Sequence, residues 1–200
     1  AEQHAVTFAS GLASTGLIPV VAVYSSFLQR AYDQVLHDAS IDNAHIVLGI
    51  DRAGLVGEDG ETHQGVFDVA FLTNIPNITL FSPSCYEEVR MCLSEGIYNI
   101  DGVVGIRYPR GNDNSTFDKS NLNASYTLTE NGGKVLLITY GRIYDNLYKA
   151  QAALLDNQYN CDLLKLTKIF PVESEIVNIA MNYDRIIFFE EGMENGGIGE

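Results

Sequence analysis

Residues 45–65, HIVLGIDRAGLVGEDGETHQG, join a short apolar run to a long polar stretch. His45 to Ile50 is continuously apolar rather than alternating, which is the pattern of a strand with both sheet faces covered. Asp51 to Gly65 then carries four glycines among charged residues. Loops of this length without elements of their own are usually functional or disordered in a compact domain. In open α/β sheets, ligands gather beyond the carboxyl ends of the strands. Arg52, Asp59 and His63 are therefore the chemical candidates of this loop, with a merely solvated loop as the alternative.

The same pattern recurs on either side. Further strands are expected at Pro19 to Tyr24, Asn77 to Phe81, Val103 to Arg107, Lys134 to Tyr140, Asp162 to Lys168 and Arg185 to Glu190. Helical stripes fall between them: Ala5, Phe8, Ala9 and Leu12; then Phe27, Ala31, Gln34 and Val35; later Leu147, Ala150, Leu154 and Leu155. Ser84 with Glu87 reads as a capping box ahead of Val89, Cys92 and Leu93. Strand and helix in alternation define an α/β fold with mostly parallel sheets. The Asn-, Asp- and Ser-rich stretch from Gly111 to Ser125 breaks that rhythm. It places a linker at 113–124 between a unit at 1–112 and one at 125–200.

Composition narrows the function classes. A net charge of −14 argues against nucleic acid, whose phosphates are met by many Lys and Arg. No apolar run reaches the length of a membrane span, so no membrane partner is expected. Three cysteines without CxxC spacing suggest neither a disulfide framework nor a zinc site, and fit a reducing cytoplasm. Ala1 in place of a methionine, and a stop just after a glycine cluster, read as cuts in a longer polypeptide.

Three more segments fall where ligands gather. In VYSSFLQR (23–30), Tyr24 ends a strand, a serine can cap a helix, and Phe27 and Arg30 lie on its first turn. The same residues would equally suit a buried ring and a surface arginine. In IRYPRG (106–111), Arg107 and Arg110 flank a proline, where a guanidinium can fork onto a phosphate. Glu2 precedes the first helical stripe, where a carboxylate is ordinarily just well placed on the helix dipole. GxxxxGK[ST], HExxH and GxSxG are absent. Gly196-Gly197-Ile198-Gly199 is too loose to claim a nucleotide. His37 and His45 read as structural, and the four histidines show no metal-ligand spacing.

Taken in order, AEQHAVTFASGLA, YSSFLQRAYDQVLHD, DRAGLVGEDGETHQGVFD, IRYPRG and EEGMENGGIG resemble the thiamine-diphosphate enzymes of the transketolase type, and among them the 1-deoxy-D-xylulose-5-phosphate synthase family. The likeness runs from Ala1 to Glu200. It implies two three-layer α/β/α units: a pyrimidine-binding domain at 1–112 lacking its first strand and helix, and a truncated transketolase C-terminal domain at 125–200. It further implies thiamine diphosphate with Mg2+, the diphosphate and metal being held by a domain that these residues do not include. Gly57-Glu58-Asp59-Gly60 is not the GDG…N motif of that domain.

The implied substrates are pyruvate and glyceraldehyde 3-phosphate, the implied assembly is a homodimer, and the piece alone is expected to be inactive. By resemblance, Glu2 is the glutamate that bonds the pyrimidine ring nitrogen, which requires burial there to raise its pKa. Phe27 packs on that ring and Arg30 lies beside the cofactor. Tyr24, Arg52 and Arg110 hold the aldehyde's phosphate, and Asp59 and His63 face the substrate, with His63 as proton shuttle. Two readings compete: a 2-oxo acid dehydrogenase β subunit or split transketolase half, which usually lacks this 51–65 loop, and a non-catalytic α/β interaction module.

Overall fold

The computed structural model describes residues 1–200. α1 (Glu2–Ala13) leads to β1 (Val20–Tyr24), and a broken helix follows directly. Its α-helical turns α2 (Ser25–Leu28) and α3 (Tyr32–Gln34) are separated by a 3₁₀ turn at Gln29–Ala31 and end in a π turn at Val35–Ser40. Next come β2 (Ile46–Asp51), a 3₁₀ turn at Glu61–His63, α4 (Asp68–Leu72), β3 (Ile78–Phe81), α5 (Tyr86–Tyr98) and β4 (Val103–Arg107). The remainder comprises β5 (Tyr126–Thr129), β6 (Val135–Tyr140), α6 (Ile143–Asp156), β7 (Asp162–Leu166), β8 (Lys168–Phe170), α7 (Ser174–Ala180) and β9 (Arg185–Phe189). No helix is long and apolar enough to cross a membrane.

Two mostly parallel sheets result, as the apolar runs predict. The first has the order β1-β2-β4-β3-β8 and the second β5-β7-β6-β9. Only β8 against β3 and β5 against β7 run antiparallel. On the first sheet, Ile46, Leu48, Ile50 and Leu80 pack toward α1, the broken helix and α4, while Val47, Phe81, Val104 and Ile106 meet Cys92 of α5. On the second, Leu137 and Leu163 lie under Tyr144 and Leu147 of α6, together with Phe117. Its other face, with Leu136, Ile138, Tyr140, Leu164 and Leu166, joins the first sheet's core in one cluster of 22 buried residues.

Several details depart from the sequence reading. The buried face of α1 is Val6, Ala9 and Ser10, whereas Phe8 is 60% exposed. Leu154 and Leu155 of α6 are exposed, and Tyr144, Leu147 and Gln151 form its inner face. The expected strand from Asp162 to Lys168 is two strands. It breaks at Thr167, whose N–H donates to the Ser125 carbonyl at 2.8 Å, and the chain crosses from the second sheet to the edge of the first. β5 was not expected, because Tyr126–Thr129 is short, half-buried and alternating. The capping carboxylate before α5 is Glu88 rather than Glu87: it accepts from Ser84 N–H at 2.8 Å and Ser84 Oγ at 2.7 Å. Glu87 instead pairs with Lys119 at 2.8 Å.

One buried carboxylate yields a pH prediction. Asp162 accepts from the N–H groups of Asn131 at 2.7 Å and Gly133 at 3.1 Å, and from the Tyr183 hydroxyl at 2.7 Å. Burial pushes its pKa up, but the hydroxyl and backbone donors outweigh burial and hold it below the usual value. A depressed folded pKa gives stability that is fully present above the unfolded value, about 3.9, and is lost as pH falls through the folded value. We expect Asp162→Asn to cost about 1–3 kcal/mol at pH 7. The gap in melting temperature between variant and wild type should narrow from pH 6 to pH 3. A gap independent of pH would rule out this role.

Candidate active site

The carboxyl ends of β1, β2 and β4 bring the sequence candidates together. Parallel register sets Tyr24 opposite Asp51 and Ile50 opposite Arg107. The chain turns sharply after β2, with Arg52 at φ 58°, a region that residues with side chains seldom occupy. Such strain costs about 1–3 kcal/mol and tends to gather at functional sites. The turn lays the Arg52 guanidinium over the Tyr24 ring, 3.7 Å from its centroid.

A continuous strip runs from there in both directions. Tyr24 stacks on Phe27 at 5.4 Å, His63 meets the Phe27 ring edge-on at 5.1 Å, and Arg30 lies 4.6 Å over that ring. Arg30 Nη1 is 3.5 Å from Glu2 Oε1 at the far end. In the other direction, Arg52 Nε donates to Asp59 Oδ2 at 2.5 Å, and Arg110 Nη1 donates to Asp59 Oδ1. Arg110 also lies 3.2 Å from Glu58, and Arg52 3.4 Å from Asp51. Glu2, Arg30, Phe27, His63, Tyr24, Arg52, Asp59 and Arg110 thus form one connected surface. Beyond Arg52 and Arg110, a cleft of about 840 Å³ opens between the two sheets, lined in part by Tyr86, Tyr108 and Asn112.

The electrostatics follow from these contacts. The Asp59 carboxyl is held below its usual range, chiefly by the hydrogen bond from Arg52, with the Arg110 charge assisting against burial. The Arg52 guanidinium is raised, first by its bond to Asp59. Glu2 departs from the expected raised pKa: its carboxyl is lowered, first by the backbone N–H at the helix start, which outweighs burial, with the Arg30 charge assisting. It is therefore an anionic acceptor, the form that draws a proton onto an adjacent ring nitrogen.

Arg107 is a second correction. It is buried and forks onto a protein carboxylate: Nε and Nη2 meet the two oxygens of Asp68 at 3.0 and 3.2 Å, and Nη1 meets Ser82 Oγ at 3.4 Å. It is consumed in the core, so of the two arginines flanking Pro109 only Arg110 reaches the site. The terminal glycines likewise serve the protein itself, with Ile198 and Gly199 N–H donating to Glu190 at 3.1 and 3.2 Å. His45 bonds the Gly96 carbonyl at 2.7 Å and His37 bonds Asp33 at 2.7 Å, both away from the site.

Four residues that shape the loop escaped the sequence reading. Gln64 accepts from Val56 N–H at 2.6 Å and donates to the Val56 and Gly60 carbonyls, each at 2.7 Å, closing the loop on itself. Gly54 and Gly65 pair across its base at 2.7 and 2.8 Å. A Cβ on Gly65 would sit 2.1 Å from the Arg52 carbonyl, so only glycine fits. Arg142, just after β6, grips Glu191 with Nε at 3.0 Å and Nη2 at 2.9 Å, and donates to the Leu55 carbonyl at 2.6 Å. Arg142 lies at the carboxyl end of a strand, so the rule that located the other candidates could have found it.

The pyrimidine end of thiamine diphosphate fits these residues. It calls for an aromatic platform, a carboxylate at a ring nitrogen and polar groups around the rim. Phe27 and Glu2 supply the first two, and the Ser25 and Ser26 hydroxyls, on the same helix turn as Phe27, are buried without a protein partner. A metal does not fit this strip. The one triad with suitable spacing is Cys85, Glu87 and Asp113, and Lys119 already pairs with both of its carboxylates.

Residues 1–115 match the family model described as transketolase, pyrimidine binding domain, and residues 125–200 match that of transketolase, C-terminal domain. The chain belongs to the transketolase family. Among its relatives, a 1-deoxy-D-xylulose-5-phosphate synthase of Clostridium tetani (strain Massachusetts / E88) is 42% identical over 202 residues, covering 100% of this chain and 32% of the relative. The enzyme of the same name from Clostridium beijerinckii (strain ATCC 51743 / NCIMB 8052) is 43% identical over 203 residues, covering 100% and 33%. The chain spans about a third of the length of these curated relatives. A solved structure described as a split gene transketolase, inactive beta4 tetramer, superposes with a TM-score of 0.88 at 23% identity, covering 100% of this chain and 66% of that one. That likeness concerns the fold.

Proposed function

We propose that this chain is the pyrimidine-binding and acceptor-binding part of a thiamine-diphosphate-dependent transferase that condenses pyruvate with D-glyceraldehyde 3-phosphate. The products are carbon dioxide and 1-deoxy-D-xylulose 5-phosphate, an isoprenoid precursor. The observation that carries this reading is the unbroken strip from Glu2 to Arg110, which joins a pyrimidine platform to a pair of arginines suited to phosphate. The names of the relatives support the particular reaction.

When bound, thiamine diphosphate supplies a thiazolium carbon that adds to a 2-oxo acid and holds the electron pair released with carbon dioxide. Glu2 draws a proton onto the pyrimidine nitrogen, Phe27 holds the ring face, and Arg30 orients the Glu2 carboxylate. Tyr24, Arg52 and Arg110 hold the aldehyde's phosphate, with guanidiniums matching its oxygens. Asp59 faces the substrate, and His63 moves a proton to the aldehyde oxygen as the new carbon bond forms. The diphosphate and Mg2+ belong to parts of the protein outside these residues. A homodimer in the cytoplasm completes the proposal, and the three buried, unpaired thiols are compatible with a reducing compartment.

Arg110→Ala in the full-length protein tests the phosphate assignment. Loss of a charge-assisted hydrogen bond costs about 1.5–3 kcal/mol, so KM for glyceraldehyde 3-phosphate should rise roughly 10- to 100-fold. KM for unphosphorylated glyceraldehyde should not change. An equal rise for both aldehydes would remove Arg110 from the phosphate site.

A further inference from the structure

Asp59 occupies the two arginines that the proposed function assigns to phosphate. Its two carboxylate oxygens take one guanidinium each, Arg52 on one side and Arg110 on the other. Counting Asp51 on the outer side of Arg52, the inner set of two guanidiniums and two carboxylates is neutral. Glu58 also touches Arg110, but it is 84% exposed and solvent screens it. An anion arriving at a neutral set gains no field from it. If Asp59 leaves, the same groups carry one net positive charge.

The loop is built to let it leave. Asp59 and Glu58 lie between Gly57 and Gly60, and a Cβ at either glycine would touch nothing. Gly60 sits at φ 73°. Within this tetrad, Asp59 N–H makes only a long bond to Val56 O, at 3.4 Å. Gln64 holds both shoulders, bonding Val56 on one side and the Gly60 carbonyl on the other. The tetrad can therefore swing while the loop base and His63 stay in register.

We propose that Asp59 is a specificity-determining residue: a built-in carboxylate that a phosphate dianion displaces from Arg52 and Arg110 and a carboxylate monoanion does not. A monoanionic carboxylate offers the arginines only what Asp59 already gives, and Asp59 competes at the high effective concentration of a tethered group. A phosphate ester is largely dianionic at pH 7 and presents a third oxygen, so it gains where the monoanion cannot. The arginine pair is thereby reserved for the phosphorylated aldehyde, and pyruvate, itself a carboxylate, does not settle there. This inference rests on the phosphate reading above.

The test is isothermal titration of the 200-residue chain with inorganic phosphate and, separately, acetate. Wild type should bind phosphate and show no measurable affinity for acetate. Asp59→Asn should gain acetate binding by about tenfold or more, because a neutral amide no longer satisfies the arginines. Asp59→Ser, the second variant, should behave the same way. Adding Arg110→Gln to Asp59→Asn should abolish the gain, which places it at this pair. The inference is overturned if wild type binds phosphate while Asp59→Asn leaves acetate unbound, or if wild type already binds acetate as well as it binds phosphate. If neither wild type nor Asp59→Asn binds phosphate, the phosphate reading fails and the inference fails with it.

Discussion

Glu88→Ala is expected to destabilise the protein by about 3–5 kcal/mol, the usual result of stripping one partner from a buried ion pair. Glu88 on α5 and Lys165 on β7 meet with side chains 0% and 1% exposed. Ser84 holds the other Glu88 oxygen, and the Lys165 ammonium lies 4.9 Å from the Tyr144 ring and 5.6 Å from that of Phe117. Without Glu88, two aromatic faces are the main company left to a cation that has been taken out of water. Ring faces return only about 1–2 kcal/mol to a desolvated cation, less than the loss of its carboxylate partner. Urea unfolding measures the loss. The matched pair Glu88→Leu with Lys165→Met should recover most of it, because an apolar pair of similar volume carries no desolvation penalty. A single variant that loses less than about 1 kcal/mol would mean that water reaches Lys165.

Glu2→Ala is expected to reduce carbon dioxide release from pyruvate by roughly 10²- to 10⁴-fold in the full-length protein, the range for loss of a positioned proton-transfer partner. The lowered pKa of Glu2 makes it an anion throughout the neutral range, so its effect is to raise the basicity of whatever nitrogen it faces. KM for glyceraldehyde 3-phosphate should barely change, since Glu2 and Arg110 occupy opposite ends of the strip. A loss confined to KM would move Glu2 out of the proton path and leave it as a helix-start carboxylate.

Much of the fold was legible because parallel strands covered on both faces are written as unbroken apolar runs, and Val103–Arg107 has the bounds that its run suggests. β5 was hidden for the opposite reason. An edge strand half in water has no such signature, and its identity depends on pairing with β7. The break at Thr167 was hidden because no glycine or proline marks it between Asp162 and Phe170, and tertiary pairing alone decides which sheet each half joins.

The eight candidate site residues were found through strand ends and family likeness, and the structure places them in contact. Arg107 shows the limit of the first signal. It and Arg110 look alike in IRYPRG, yet Arg107 is the last residue of β4, inside the sheet, and Asp68 waits for it across the core. Gln64 and Glu191 were illegible because their work is to hold a loop, and such contacts leave no spacing to read, whereas Arg142 stands just past the end of β6, where the strand-end signal applies.

β8 carries a consequence for the chain as it leaves the ribosome. The outer edge of β3 is closed by Lys168–Phe170, which lies in the second unit, and the Glu88 carboxylate waits for Lys165 from the same region. At ordinary elongation rates, of about 5–20 residues per second, roughly 3–13 s pass between synthesis of β4 and synthesis of β8. Over that interval the nascent first sheet presents a bare strand edge and a buried-type acid without its counter-charge. Nascent chains with open edges are the ones that pair wrongly with neighbours, so crowded polysomes and the supply of chaperones bear directly on the yield of this protein.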